Sequence, residues 1–229
     1  MTAKTKAICS SGLAFLGLVI LAFFFWPTSP KSAALSVREH LLAVLGAEIA
    51  KVRPQAKVLL LSNPFAEKAG TFNEKTQFER AGIRGLRKGL GKGSTVTVVF
   101  PEVRPEYLSN PGSIPIPPDS KTPLSFLIQP ASIDRLAEAN PECTVIVSLI
   151  GLPVGVNELK LWSEKDSRSF ALLMPDLRVV GTPNDTLAAF HRGKLLAAVY
   201  ENPATGEPLI VNQTNIARIL AESPRTLGY

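Results

Sequence analysis

Lys57-Val-Leu-Leu-Leu-Ser-Asn-Pro64, followed by Phe78-Glu-Arg-Ala-Gly-Ile-Arg-Gly-Leu-Arg-Lys-Gly-Leu90 and then Thr95-Val-Thr-Val-Val-Phe100, is the stretch from which the fold is read. Its outer segments are short and apolar throughout, without the alternation of a half-solvated strand, and they suit strands buried on both faces. The middle segment sets Phe78, Ala81, Gly82, Gly85, Leu86 and Leu90 on one helical face. Strand, helix and strand in this order make the unit of a parallel sheet flanked by helices. The same rhythm continues downstream. Apolar runs recur at Thr144 to Ile150, Phe170 to Met174 and Leu195 to Tyr200, with short helical patterns at Ile133, Leu136 and Ala137 and at Leu187 and Phe190. The expected fold is a three-layer α/β domain with a mainly parallel sheet. Glu201-Asn-Pro-Ala-Thr-Gly-Glu207 has turn chemistry and leads into Pro208 to Val211, which predicts an antiparallel hairpin at the sheet edge. A last helix is expected from Asn215 to Glu222.

Element ends can also be read. Ser36-Val-Arg-Glu39 has the form of a capping box, and Val37, Leu41, Val44, Leu45, Ile49 and Val52 follow at helical spacing until Pro54. Thr71 and Glu74 are the expected caps of the helix containing Phe78, and Gly82 and Gly85 would let that helix approach the sheet. Arg80, Arg84, Arg87, Lys88 and Lys92 crowd its other face and C-terminal end, where cations complement the helix dipole. Thr182-Pro-Asn-Asp185 offers an N-cap, a proline at the first helical position and an acid at the third.

Ala7 to Trp26 carries no charge. About 20 apolar residues at 1.5 Å each span a hydrocarbon core of roughly 30 Å. Lys4 and Lys6 precede the stretch, so the positive-inside rule keeps the N-terminus in the cytoplasm. The expected organisation is a cytoplasmic stub at 1–6, a transmembrane signal-anchor helix at 7–26, a tether at 27–35 and an extracytoplasmic α/β domain at 36–229. That places the protein in the inner membrane as a single-pass protein with a periplasmic domain. The competing expectation is a signal peptide cleaved near Ala34, which would release the domain.

With 229 residues, 45% of them hydrophobic and 19% charged, the part beyond the apolar stretch is the size of one domain and able to bury a core. The formal charge is +6, or about +4 without Lys4 and Lys6, and no nucleic-acid-binding module accompanies it. The two cysteines, Cys9 and Cys143, lie on opposite sides of the expected membrane boundary. No internal disulfide is expected, and Cys143, heading an apolar run, reads as a small core residue. Gly85 to Ser94 is glycine- and lysine-rich but has the wrong spacing for a phosphate loop and ends a helix. His40 and His191 have no carboxylate spaced to share a metal, and no Gly-x-Ser-x-Gly elbow exists. Neither a metal nor a cofactor is expected. An enzyme built from unmarked carboxylates such as Asp176 and Glu201 stays open.

Pro101 to Pro130 holds eight prolines in thirty residues and is too long for an ordinary connection. Leaving the carboxyl end of the second strand, it is expected to lie over the edge where open α/β sheets bind ligands. The carboxyl ends of the strands carry Asn63, Glu102, Arg104, Gly151, Asp176, Glu201 and Asn202, donors and acceptors suited to a small polar ligand. Taken singly, each also reads as an ordinary cap or turn residue.

The segments Lys57 to Pro64, Phe78 to Leu90 and Thr95 to Phe100 resemble the start of type I periplasmic binding proteins, the sugar and amino-acid receptors of ABC transporters. Thr186-Leu-Ala-Ala-Phe-His-Arg-Gly-Lys-Leu-Leu-Ala-Ala-Val-Tyr-Glu-Asn-Pro203 looks like their helix, Gly-Lys, strand and polar-proline end. The resemblance implies a Rossmann-like α/β fold with Asn63 and Asn202 facing ligand. Those receptors have two lobes, and this chain is long enough for one lobe and a part. The leading expectation is a membrane-anchored, non-enzymatic module binding a small polar ligand or a peptide. The alternatives are a structural component of a cell-envelope assembly with a protein partner, and a hydrolase-like enzyme.

Overall fold

The computed structural model describes residues 30–70 and 73–229. The chain divides into two units, Met1–Ala34 and Leu35–Tyr229, and the expected membrane segment 7–26 lies outside the described residues. Among the described residues no helix is long and apolar enough to cross a membrane.

Six strands form one sheet: β1 (Lys57–Leu61), β2 (Thr95–Val99), β3 (Val145–Ser148), β4 (Ser169–Leu173), β5 (Leu195–Glu201) and β6 (Pro208–Asn212), in the order β2-β1-β3-β4-β5-β6. The first five are parallel. β6 runs antiparallel to β5, with Val199 opposite Ile210, so the expected edge hairpin is present. The helices are α1 (Pro30–Val52), α2 (Pro64–Glu67), α3 (Glu74–Leu90), α4 (Pro105–Ser109), α5 (Leu124–Leu127), α6 (Pro130–Glu138), α7 (Pro183–His191), α8 (Ile216–Glu222) and α9 (Pro224–Leu227).

Side chains of a strand alternate between faces, and here both faces are apolar. Val58, Leu60, Val145, Val147, Ala171 and Val199 meet Leu41, Leu42, Leu45 and Ile49 of α1 and Leu86 and Leu90 of α3. Leu59, Leu61, Ile146, Phe170, Leu172 and Ala198 meet Ile133 of α6, Phe190 of α7 and Ile216 and Ile219 of α8. These are the three layers, and they explain why the strands read as unbroken apolar runs. Each fully buried aliphatic side chain contributes about 1.5–3 kcal/mol relative to exposure. Cys143 is buried in the second of these clusters, 2% exposed.

Several local expectations are corrected. α1 begins at Pro30, so Ser36 and Glu39 are interior to the helix and form no capping box, and residues from Pro30 onward are helix where a tether was expected. Glu39 instead accepts from Arg84 of α3 at 2.9 Å. The cap of α3 is Asn73, whose side chain accepts from the Lys75 amide at 2.9 Å; Glu74 is the first helical residue and Thr71 lies outside the described residues. Gly85 and Gly89 of α3 approach α1, not the sheet, whereas a Cβ on Gly82 would meet both Arg38 of α1, at 3.3 Å, and Leu149 just beyond β3, at 3.5 Å. A Cβ on Gly85 would stand 2.0 Å from the Glu39 carbonyl oxygen, and one on Gly89 would stand 1.9 Å from that of Ala43. At the start of α7 the reading holds: Thr182 Oγ1 accepts from the Asp185 amide at 3.3 Å, and Asp185 Oδ2 accepts from the Thr182 amide at 2.8 Å.

The proline-rich segment 101–130 is not an irregular loop. It carries α4, a 3-10 turn at Pro111–Ser113 and α5. Its two ends are clipped together by an antiparallel bridge between Val103 and Ile128, with the Arg104 amide donating to Leu127 at 2.8 Å and the Gln129 amide to Glu102 at 2.9 Å.

Candidate functional site

In the strand order β2-β1-β3, the chain leaves β1 for one neighbour and later enters β3 on the other side. Connections departing in opposite directions open a crevice at the carboxyl ends of β1 and β3. At β1 this crevice is bolted by a polar cluster. The Glu79 carboxylate of α3, 7% exposed, accepts from Ser62 Oγ at 2.5 Å, from the Asn63 amide at 3.1 Å and from Arg38 Nη2 at 2.6 Å. Arg38 Nε also donates to the Phe78 carbonyl at 2.9 Å. A buried carboxylate is tolerated because each of these contacts compensates its lost hydration.

Beside the bolt lies a cleft of about 240 Å³. Leu149 and Ile150 beyond β3 form one wall, Leu173 and Met174 at the end of β4 form another, Arg38 enters from α1, and Lys121, Thr122, Pro123 and Leu124 of the proline-rich segment cover it. Thr122 rests on Gly151, where φ is +81° and a Cβ would stand 2.8 Å from the threonine Cβ. Met174 adopts φ +43° and is 39% exposed. A left-handed backbone on such a side chain costs on the order of 1–2 kcal/mol, and strain of this kind clusters at ligand clamps.

The cover is tied down by charge. Lys121 Nζ donates to the carbonyls of Arg225 and Thr226 at 2.8 and 2.9 Å, and burial pulls its affinity for a proton below the usual lysine range, against the opposing pull of Asp176. Asp176 is 2% exposed and accepts from Arg178 Nε at 2.9 Å and Nη2 at 2.6 Å, while Arg178 Nη1 reaches Asp119 of the segment at 2.5 Å. Hydrogen bonds to Asp176 and then Asp119 hold the Arg178 proton more tightly than usual, and the Arg178 contact holds the Asp119 carboxyl below its ordinary range. The slot thus has apolar walls, with Thr122 and the hydrogen-bonded cations Arg38 and Lys121 among its lining. Among the described residues no group of three or more His, Cys, Asp or Glu is placed to hold a metal.

The seven residues expected at the strand ends are all at this edge, but none of them lines the cleft. Asn63 caps α2, accepting from the Phe65 amide at 2.9 Å. Glu102 is exposed and pairs with Arg135 at 2.7 Å, and Arg104 donates through Nε to Ile128 at 3.2 Å at the base of the proline-rich segment. Gly151 makes room for Thr122, and Asp176 anchors Arg178. Glu201 is exposed, and Asn202 Oδ1 accepts from the Ala204 amide at 2.9 Å inside the hairpin turn. None of the nine residues that line the cleft was singled out in the sequence as a site residue. Arg38 and Lys121 are 83 positions apart in the sequence, and no local motif marks either.

No family model matches the chain, and no curated protein matches it. Among solved structures it is similar to a carbohydrate transporter from Acidothermus cellulolyticus 11B in complex with myo-inositol, at 13% identity and a TM-score of 0.46, covering 82% of this chain and 62% of that one. It is similar to a sugar ABC transport system substrate-binding protein from Bordetella parapertussis 12822, at 11% identity and a TM-score of 0.48, covering 78% and 57%. It is also similar to AraP, an arabinose binding protein from Geobacillus stearothermophilus, at 11% identity and a TM-score of 0.45, covering 79% and 62%. The chain spans about three fifths of the length of these proteins. The resemblance read from the sequence is to the same class of sugar-binding receptors. At such TM-scores the likeness extends neither to ligand nor to residues.

Proposed function

We propose that the domain is a non-enzymatic binding module that takes a small polar ligand in the carboxyl-edge cleft. The apolar stretch 7–26 would hold it at the membrane with the domain outside the cytoplasm. The observation that carries this reading is the cleft itself: a hollow at the sheet edge where open α/β folds bind ligands, walled by strand ends and covered by a tied-down proline-rich segment. Thr122 and Arg38 would supply the polar contacts, and Met174 an apolar wall at the mouth.

The test is thermal unfolding of the full chain in nanodiscs against a panel of sugars, amino acids, nucleosides and small anions. A ligand at about 100 times its dissociation constant stabilises by roughly 2.7 kcal/mol, and Thr122→Val should abolish that gain; because Thr122 is buried with its hydroxyl 3.4 Å from Ser125 Oγ, each protein is compared with its own unliganded melting point. A panel without a single stabilising compound, or a stabilisation indifferent to Thr122, would sink the reading.

A further inference from the structure

The opposite edge of the sheet, where the parallel strands begin, carries two hollows of about 340 and 330 Å³. Arg53, Ser169 and Gly193 line both, so the two are arms of one trough bent around the start of β4 and the turn after α7. Each arm has the volume of an ordinary small-molecule site.

The arms differ in chemistry. One is walled by Val52, Phe190, Leu195 and Leu196, with Val52 left 51% exposed, and by Glu48, which accepts from Asn212 Nδ2 at 2.8 Å, with Lys51, Gln213 and Thr214 at its rim. The other brings together the cations Arg53, Arg168, Arg192 and Lys194 with the acids Glu164 and Asp166. Asp166 is spent on Arg168, which grips it through Nε and Nη2 and sends Nη1 to the Ala137 carbonyl at 2.8 Å. Glu164 stands 4.0 Å from Arg192 with its side chain 82% exposed, too loose and too wet a pair to neutralise it.

Lys194 is the unusual member. It is 4% exposed, and its ammonium donates to the carbonyls of Leu161, at 3.0 Å, and Asp166; no carboxylate contacts it. Burial pulls its proton affinity below the usual lysine range, more than nearby Asp166 restores it. Arg53, in the elbow between the arms, makes no side-chain hydrogen bond or ion pair among the described residues. Lys194 is buried while Arg53 and Arg192 stand exposed beside it, and this cationic group, short of counter-charge and next to an apolar extension, is complementary to an anion with an apolar body.

We propose that this trough is a second binding site, for a small amphipathic oxyanion whose phosphate or carboxylate sits among Arg53, Arg192 and Lys194 and whose apolar body lies along Val52, Leu195 and Leu196. The ligand comes from solution. The trough is concave, and the exposed Glu164 on its rim repels an anionic bilayer face.

The test uses the full chain in phosphatidylcholine nanodiscs, titrated calorimetrically with hexyl phosphate, inorganic phosphate and hexanol, with empty discs as the blank. Hexyl phosphate should bind at least about tenfold more tightly than either fragment. Arg53→Glu, which disturbs no internal contact, should weaken hexyl phosphate by about tenfold or more without moving the melting temperature. Val52→Asp should remove the advantage over inorganic phosphate. Equal affinity for hexyl phosphate and phosphate, or an Arg53→Glu variant that binds as before, would overturn the proposal. So would binding seen only when phosphatidylglycerol replaces phosphatidylcholine in the disc, with the free probe silent. Variants at the carboxyl-edge cleft, such as Thr122→Val, should leave hexyl phosphate binding unchanged, so this site and the one proposed above succeed or fail separately.

Discussion

Asp166 and Arg168 lie two residues apart, and the guanidinium grips the carboxylate through two nitrogens while the Arg168 amide donates to it at 2.8 Å. The side-chain contact with Arg168 is the main reason the Asp166 carboxyl titrates below its ordinary value of 3.8; partial burial opposes the shift, and the backbone bond and the Arg168 and Lys194 charges add to it. A carboxyl whose folded pKa is depressed stabilises the fold fully above the unfolded value, and that contribution is lost as pH falls through the folded one. Wild-type protein should therefore lose stability more steeply than Asp166→Asn as the pH drops below about 4. Denaturant midpoints at a series of acid pH values check this, and parallel pH profiles would refute the assignment. At this scale the site was only half legible. The residues at the carboxyl edge were legible, because strand ends follow from apolar runs, and there Asn63 caps a helix, Glu102 forms a surface ion pair and Asn202 shapes a turn. Which side chains share a cavity depends on elements far apart in sequence, as Arg38, Thr122 and Met174 are.

The crossing of α1 and α3 brings backbone against backbone. Gly46 of α1 faces Leu86 and Gly89 of α3 so closely that a Cβ on Gly46 would stand 2.6 Å from the Leu86 carbonyl oxygen, while Gly85 of α3 packs on Glu39 of α1. Gly89→Ala forces backbone against backbone, where no rotamer change can relieve the clash, and should cost about 2–3 kcal/mol. Gly70→Ala, with none of the described residues within 4 Å of the added carbon, should stay within about 0.5 kcal/mol. Equilibrium denaturation of the two variants decides; similar losses for both would mean that the helices simply slide apart. The strands were legible because burial on both faces forces continuous apolar runs. The start of α1 was not. Ser36 and Glu39 satisfy the capping pattern, yet the residues before them, Ser32-Ala-Ala-Leu35, are compatible with helix, and the helix runs through. Nor can a glycine in a helix say whether a sheet or another helix approaches it.

Across the whole molecule, burial is graded from the middle of the sheet outward. β1, β3 and β4 are paired on both sides and their apolar residues are wholly buried, whereas β2 is paired only to β1 and every one of its residues is at least partly exposed. Opening energies follow such gradients. Native-state hydrogen exchange should find the slowest amides in β1, β3 and β4 and earlier exchange along β2. Uniform protection across all strands would show instead that the sheet opens only as one unit.

The clip between Val103 and Ile128 has a further consequence. Residues in an antiparallel bridge stand about 5 Å apart, so the two ends of the proline-rich segment enter and leave the sheet edge at practically one point. The outer part, from α4 to Pro118, is mostly exposed, while Thr122, Ser125 and Leu127 are buried near the cleft. Closing a loop costs only about 0.6 kcal/mol more for each doubling of its length. The outer part is therefore an exchangeable cassette: its length and sequence can diverge between copies of this scaffold, reshaping what approaches the cleft while the six strands below keep their register.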